Sequence, residues 1–242
     1  MIFSAKTDIG LKRTINQDVY DVKILNNELA FALVLDGMGG MAAGNVASSV
    51  AATHIAGSLN DNLSPKLTEK QLTTFLRAAV ESANAAVFEK AASDQELHGM
   101  GTTVVCAVIR KDSCFVAHAG DSRLYLYRDG TLIQMTNDHS VVQSMVDNGH
   151  LTEEEAKIHP SKNIITRALG VHSSVDVDIT DFAVKEDDII LLCSDGLTNC
   201  VDDEGIAKAL ETAEFEGVAE QLVDTANSGG GIDNITVVAL KI

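Results

Sequence analysis

The stretch Leu29-Ala30-Phe31-Ala32-Leu33-Val34-Leu35-Asp36 contains the longest purely apolar run of the chain, and it leads directly into Gly37-Met38-Gly39-Gly40. Such a run has the length of one buried strand, far below the roughly 20 apolar residues of a membrane-spanning helix. The glycines that follow it are typical of a tight loop. We therefore expect a core strand that delivers the carboxylate of Asp36 to the edge of a sheet.

Other segments of the chain carry the same strand signal. Short runs rich in Val, Ile and Leu predict strands at 102–109, 113–119, 124–127, 131–135, 188–193 and 235–242. The Asp-Gly step of Arg128-Asp129-Gly130 predicts a hairpin, and therefore an antiparallel pair. Helical spacing predicts core-facing helices at 46–55 and 68–87, and two more at 203–212 and 217–227. Helices clustered between groups of antiparallel strands favour an α+β fold over a parallel sheet.

Length and charge restrict the class of protein. A chain of 242 residues that is 45% hydrophobic can bury a large core, and no linker divides it, so we expect one domain, 1–242. Its polar stretch 137–167 is interpreted as a flap over a site. The net charge of −17 opposes binding to nucleic acid or to an anionic membrane. The N-terminus lacks the apolar core of a signal peptide, and we expect a cytoplasmic monomer.

Five aspartates lie beside Gly, Asn, Gln or Ser where the chain leaves an apolar segment or enters a tight loop: Asp18, Asp36, Asp121, Asp195 and Asp233. Any one of them, taken alone, is best explained as a turn or cap residue. Gathered in one cleft, their carboxylates would repel one another by several kcal/mol, so a cation is their natural partner. Oxygen ligands suit Mg²⁺ and Mn²⁺ better than Zn²⁺ or copper.

Two further patterns were weighed. The run Gly37-Met38-Gly39-Gly40-Met41-Ala42 matches the GxGxxA dinucleotide pattern, but Asp36 before it would repel a pyrophosphate. The glycines are better interpreted as allowing the Gly37 carbonyl to join Asp36 on a metal. His139 and His159 belong to the stretch 137–167 and could approach a substrate, although core packing or solvent exposure is the ordinary role of a histidine.

Eight short motifs resemble, in chain order, the signature motifs of the metal-dependent protein phosphatases, the protein phosphatase 2C-like family. The resemblance covers nearly the whole chain and is strongest to the short bacterial members, which consist of the catalytic domain alone. The motifs are Arg13-Thr14-Ile15-Asn16-Gln17-Asp18, Asp36-Gly37-Met38-Gly39-Gly40, Gly101-Thr102-Thr103, Gly120-Asp121-Ser122-Arg123, Asp138-His139-Ser140, Ile165-Thr166-Arg167-Ala168-Leu169-Gly170, Ser194-Asp195-Gly196-Leu197 and Asp233-Asn234-Ile235-Thr236.

The resemblance implies a four-layer α-β-β-α sandwich of two antiparallel sheets flanked by helices. It also implies a centre of two Mn²⁺ or Mg²⁺ ions at one end of the sandwich. In that centre Asp36 would bridge the two ions, the Gly37 carbonyl would bind one ion, and Asp195 and Asp233 would bind the other. A third ion between Asp121 and Asp195 is an expectation taken from bacterial relatives.

The remaining roles implied by the resemblance concern substrate and protons. Asp18 would orient water at the metals, Arg13 would bind the substrate phosphate, and Asn163 is a further candidate ligand in the flap. Two positions depart from the family. Gln17 stands where some relatives have Glu, and Met38 stands where eukaryotic relatives have a His that is thought to act as general acid. Methionine cannot donate a proton, so the proton donor stays open.

The expected activity is hydrolysis of phosphoserine or phosphothreonine in proteins by water activated at two metals, without a phosphoenzyme. The expected partners are phosphorylated proteins and, through the resemblance, a cognate Ser/Thr protein kinase. Two alternatives remain open at this point. One is a catalytically inactive module that binds phosphoproteins, against which the intact aspartates argue, and the other is a dinuclear hydrolase of small phosphate esters.

Overall fold

The computed structural model describes residues 1–39 and 43–242. Gly40, Met41 and Ala42, and with them the ends of both glycine-rich motifs, lie outside the described residues. The elements in chain order are β1 (Ile2–Asp8), β2 (Asp18–Asn26), β3 (Leu29–Met38), α1 (Ala43–Asn62), α2 (Glu69–Ser93), β4 (Gly101–Thr102), β5 (Val104–Arg110), β6 (Ser113–Ala119), β7 (Arg123–Arg128), β8 (Thr131–Gln134), α3 (Val141–Asp147), α4 (Glu153–Ile158), β9 (Asp178–Ala183), β10 (Ile189–Cys193), α5 (Asp195–Thr198), α6 (Asp203–Thr212), α7 (Val218–Ser228) and β11 (Ile235–Lys241).

These strands form two antiparallel sheets. The first sheet has the order β1-β11-β10-β7-β8, and the second has the order β2-β3-β5-β6-β9, with β4 pairing with the end of β3. The predicted hairpin between β7 and β8 is confirmed: Asp129 and Gly130 take φ values of 51° and 79°, the left-handed conformation that the tightest hairpin turns require.

Strand β3 shows why the chain forms four layers. Successive side chains of a strand point to opposite faces. Phe31 and its odd-numbered neighbours pack in a core with α1 and α2, whereas Ala30, Ala32 and Val34 pack against residues of the first sheet such as Leu192. Helices α5, α6 and α7 cover the outer face of the first sheet in a third core. Both faces of β3 are buried, which explains its continuous apolar run. The predicted α-β-β-α sandwich is confirmed.

The sequence signal did not reveal strands β1 and β2. Both are edge strands, β1 of the first sheet and β2 of the second, and most of their residues are partly or fully exposed. Their sequences IFSAKTD and DVYDVKILN mix polar and apolar residues. An edge strand with one solvated face lacks the continuous apolar run that identifies a central strand. Strand β2 matters for the site because it carries Asp18.

Residues 137–167 contain the short helices α3 and α4. The Ser140 and Ile165 backbones form an isolated β-bridge, and the Thr166 N–H donates to the His139 carbonyl at 2.7 Å, so both ends of the segment are held together. Within the described ranges, the helices are all too short or too polar to span a bilayer.

Candidate metal centre

The pairing of β2 with β3 places two of the predicted aspartates opposite each other. Asp18 is the register partner of Asp36, so their side chains start from neighbouring points on one face of the second sheet. Asp18 Oδ2 accepts hydrogen bonds from Ser194 Oγ at 2.7 Å and from Thr236 Oγ1 at 2.8 Å, and both donors belong to the first sheet or its ends. Asp18 is 6% exposed, and its Oδ1 is buried with no hydrogen-bond partner among residues 1–39 and 43–242. Asp18 therefore connects the two sheets and keeps one free acceptor.

The first sheet contributes two more aspartates from adjacent strands. Asp195 is the first residue of α5, directly after β10, and Asp233 lies two residues before β11. A Cβ atom on Gly196 would lie 1.9 Å from the Asn234 carbonyl oxygen, so only glycine permits this approach of the two segments. Asn199 donates to Asp195 Oδ2 at 2.9 Å, while Asp195 Oδ1 is buried and has no hydrogen-bond partner in the part of the chain that the structure describes.

Hydrogen bonds of Thr103 and Ser122 connect Asp36 to the loop of Asp121. The Thr103 N–H donates to the Asp36 carbonyl, and Thr103 Oγ1 accepts the Asp36 N–H, both at 2.9 Å. Thr103 Oγ1 also lies 2.7 Å from Ser122 Oγ. Gly120, before Asp121, has a φ of 123° and lies so close to Thr103 that a Cβ would fall 2.6 Å from the Thr103 Cβ. These contacts fix Asp121 beside Asp36.

Gly37 lies where two backbone segments meet. Its N–H donates to the Gln17 carbonyl at 3.1 Å, and a Cβ on Gly37 would lie 2.1 Å from the carbonyl oxygen of Gly44 in α1. A side chain at this position would separate α1 from the end of β3. The Gln17 amide group packs beside Gly44, where a Cβ would lie 2.7 Å from Gln17 Nε2. The predicted role of the Gly37 carbonyl as a ligand stays a prediction.

The five carboxylates are close enough to perturb one another. Burial is the main reason that the pKa of Asp18 is raised to about 7 and that of Asp121 to about 8, and the charge of Asp195 raises both further. Burial also raises the pKa of Asp36 well above its usual value, followed by the charges of Asp18, Asp195, Asp121 and Asp233. Asp195 has a raised pKa for the same reasons, burial first and then Asp233. The cluster therefore concentrates negative charge that a cation would stabilise.

The donor set fits hard divalent cations. Every candidate ligand offers oxygen, and no described residue donates a hydrogen bond to the buried Oδ1 atoms of Asp18 and Asp195. Among residues 1–39 and 43–242, no group of three or more His, Cys, Asp or Glu side chains is spaced around one point as a ready-made metal site. Mg²⁺ commonly binds through one or two carboxylates and keeps several waters. The carboxylates present therefore fit ions of this kind.

Arg13 lies at the same site. Its Nη2 is 2.6 Å from Asp233 Oδ2, and its side chain is 51% exposed. The loop before β2 that carries it is held by Asn234, a buried residue whose role the sequence did not reveal. Asn234 Nδ2 donates to the carbonyls of Ile9 and Ile15, each at 3.0 Å, and Asn234 Oδ1 accepts the Gln17 N–H at 2.9 Å.

His139 lies behind the Asp121 loop. It is buried and stacks on His118 with ring centroids 4.6 Å apart. His139 Nδ1 accepts the Gly120 N–H at 3.0 Å, so Nε2 carries the hydrogen and donates it to Asp178 Oδ2 at 3.1 Å. Nδ1 therefore holds the Asp121 loop, while Nε2 faces Asp178 and lies 3.1 Å from Arg167 Nη1. His159, the other histidine of interest, is partly exposed, and its Nδ1 accepts the Ser161 N–H at 3.1 Å.

The structure thus brings Arg13 and all five predicted aspartates to one end of the two sheets, whereas Asn163 is exposed in the segment 137–167. Sequence reasoning did not assign the residues that position this cluster, namely Thr103, Ser122, Ser194, Asn199, Asn234 and Thr236. The sequence could have indicated most of these residues, because they lie within a few positions of one of the predicted aspartates.

Comparison with known proteins identifies the family. The sequence model described as protein phosphatase 2C matches residues 12–227. The serine/threonine phosphatase stp of Listeria welshimeri is 38% identical over 237 residues, which cover 98% of this chain and 94% of that protein. The serine/threonine protein phosphatase PstP of Mycobacterium tuberculosis is 41% identical over 241 residues, which cover 99% of this chain and 45% of PstP.

Solved structures agree with this match. The serine/threonine phosphatase of S. agalactiae has a TM-score of 0.92 at 35% identity, and the alignment covers 100% of this chain and 99% of that one. The catalytic domain of PstP in complex with two manganese ions has a TM-score of 0.84 at 38% identity, and the alignment covers 98% and 96% of the two chains. With its sandwich of two sheets and its cluster of aspartates at one end, this chain belongs to the protein phosphatase 2C family.

Proposed function

We propose that this protein is a metal-dependent serine/threonine protein phosphatase with two Mn²⁺ or Mg²⁺ ions as cofactors. The observation that carries the proposal is the convergence of five aspartates from both sheets, with their charge largely buried, beside an exposed arginine. The PstP catalytic domain, whose structure contains two manganese ions, supports the choice of cofactor. When bound, such cations would lower the pKa of a bound water molecule towards about 7, which would supply the nucleophile at neutral pH.

The roles of the acidic residues follow from their positions. Asp36 lies centrally, since the charges of the other four aspartates all raise its pKa, and it would be the residue shared between the two ions. The Gly37 carbonyl would join it on one ion, and Asp195 and Asp233 would hold the other. Asp121, whose pKa is raised by the charge of Asp195, would form a third site together with that residue.

Asp18 and Arg13 act on water and substrate. Ser194 and Thr236 hold one oxygen of Asp18, which leaves Oδ1 to accept a hydrogen bond from the attacking water and to fix its orientation. The half-exposed guanidinium of Arg13 is placed to give a planar, two-pronged contact to phosphate oxygens. Attack in line with the serine or threonine oxygen then breaks the P–O bond.

The leaving oxygen needs a proton, and neither Met38 nor His139 is arranged to supply one. Met38 has no ionisable group. His139 uses both ring nitrogens in hydrogen bonds to Gly120 and Asp178 and is 8% exposed. We propose that a water molecule on the Asp121 side of the site donates the proton.

The wider setting is also part of the proposal. The protein acts as one catalytic domain, 1–242, in which residues 137–167 form the flap. It works as a monomer in the cytoplasm on phosphorylated proteins and opposes a cognate Ser/Thr protein kinase. Its net charge of −17 is consistent with partners other than nucleic acid.

The substitution Asp36→Asn tests the metal centre. We expect it to lower Mn²⁺-dependent hydrolysis of p-nitrophenyl phosphate and of a phosphoserine peptide at least about 100-fold, and to weaken Mn²⁺ binding measured by calorimetry, because the amide cannot neutralise a cation. Asp129→Asn, at the exposed hairpin turn, is the matched control and should leave both unchanged. Activity within tenfold of wild type in folded Asp36→Asn protein would contradict the proposal, and hydrolysis of p-nitrophenyl phosphate alone would favour a small-ester hydrolase.

A further inference from the structure

A cavity of about 280 Å³ opens beside the metal centre. It lies between Met38, at the end of β3, and the segment 165–176. Met38 and Val171 meet above Gly101, because a Cβ atom on Gly101 would lie 2.8 Å from Met38 Cε and 2.9 Å from Val171 Cγ2. A side chain at position 101 would therefore displace Met38 and Val171, two of the residues that line the cavity.

The position of the cavity relates it to the substrate. Met38 follows Asp36 by two residues on the same strand, which corresponds to about 7 Å along the strand. Consecutive residues of an extended peptide are spaced by the same rise of about 3.3 Å. A phosphorylated residue bound at Asp36 therefore places the residue one or two positions away at the mouth of the cavity.

The lining determines what this cavity can hold. Half of it is aliphatic, from Met38, Ile165, Ala168, Val171 and Val175. The other half is polar, from Thr166, Arg167, His172, Ser174 and Asp176. The Arg167 guanidinium is 2.7 Å from Asp178 Oδ1, so its charge is already balanced. The volume lies just below the range of drug-sized ligand sites, so it fits one large side chain.

We propose that this cavity is a specificity subsite, which takes a large aliphatic side chain one or two residues away from the phosphorylated residue of the substrate. The inference rests on the proposed phosphatase function and deepens it. Val171 is 37% exposed, so its contact surface is available to a bound peptide. Full burial of one Leu side chain corresponds to about 10- to 150-fold in binding.

The test uses wild-type protein loaded with Mn²⁺ and five phosphoserine peptides. One peptide has Gly at all flanking positions, and each of the others has a single Leu one or two residues before or after the phosphoserine. We expect kcat/KM to be at least about tenfold higher for one of the Leu peptides than for the Gly peptide. Val171→Asp should abolish that preference without changing kcat/KM for p-nitrophenyl phosphate. Ile164→Asp, at an exposed position outside the cavity lining, should keep the preference.

Three results would overturn the inference. Equal kcat/KM for all five peptides, together with normal hydrolysis of p-nitrophenyl phosphate, would refute the proposed subsite but not the proposed phosphatase function. Loss of p-nitrophenyl phosphate hydrolysis in folded Val171→Asp protein would place Val171 in support of the metal centre instead. Wild-type protein without activity on any of these esters would refute the proposed function, and the subsite with it.

Discussion

Asn234 should connect the stability of the protein to the position of Arg13. Its side chain makes three hydrogen bonds to the backbone around Arg13, to the carbonyls of Ile9 and Ile15 and from the N–H of Gln17, and it is 4% exposed. Asn234→Ala removes all three. Each net hydrogen bond contributes about 0.5–1.5 kcal/mol to stability, and water can reach part of the gap, so we expect a loss of about 2–4 kcal/mol.

The kinetic consequence follows from the same contacts. Without them, the loop that carries Arg13 is free to move away from Asp233, and even a displacement of about 1 Å can cost 100-fold in rate. We expect kcat/KM for p-nitrophenyl phosphate to fall about 10- to 100-fold at 25 °C, with much of the change in KM. Urea denaturation measures the stability, and steady-state kinetics with saturating Mn²⁺ measures the activity of the folded fraction.

The matched control is Asn84→Ala. Asn84 is also a buried asparagine, 1% exposed, that bridges two backbone groups, the N–H of Gly170 at 2.8 Å and the carbonyl of His172 at 3.1 Å. This variant should be destabilised to a comparable degree while KM for p-nitrophenyl phosphate stays the same. If Asn234→Ala also keeps the wild-type KM and kcat, Asn234 does not position Arg13 and the reasoning is refuted.

Three further outcomes are expected. Arg13→Ala should lose about 10- to 150-fold in kcat/KM, mostly through KM, whereas an unchanged KM would assign Arg13 to its ion pair with Asp233 alone. Asp121→Ala should keep two tightly bound metals in calorimetry yet lose about 10²- to 10⁴-fold in kcat on a phosphopeptide, and an active variant would make Asp121 a turn residue. Burial lowers the pKa of His118 from 6.5 to about 4, so the unfolded chain binds a proton between those values that the folded chain does not. The free energy of unfolding is therefore unaffected by His118 above pH 6.5, and it falls by about 3 kcal/mol as the pH decreases towards 4. Urea denaturation of His118→Phe at a series of pH values should lack that decrease.

Local patterns in the sequence were sufficient to predict most of the framework. The apolar run before Asp36 is a strand buried on both faces, the Asp129-Gly130 step is a hairpin turn, and the helical spacing at 68–87 belongs to α2. Each of these signals depends on residues only a few positions apart. The glycine and asparagine residues beside the aspartates likewise predicted loops that carry the carboxylates.

Only the tertiary structure decided how the candidate site is assembled. The hydrogen bonds that hold Asp18 come from Ser194 and Thr236, 176 and 218 residues further along the chain, and Arg13 meets Asp233 across 220 residues. The edge strand that carries Asp18 mixes polar and apolar residues, and it forms because its backbone pairs with β3. Such contacts depend on the order of strands and on how two sheets pack, and neither is encoded by the spacing of residues within a few turns of chain. The sequence alone predicted which residue types would bind metal, and the packing of the two sheets brought their carboxylates together.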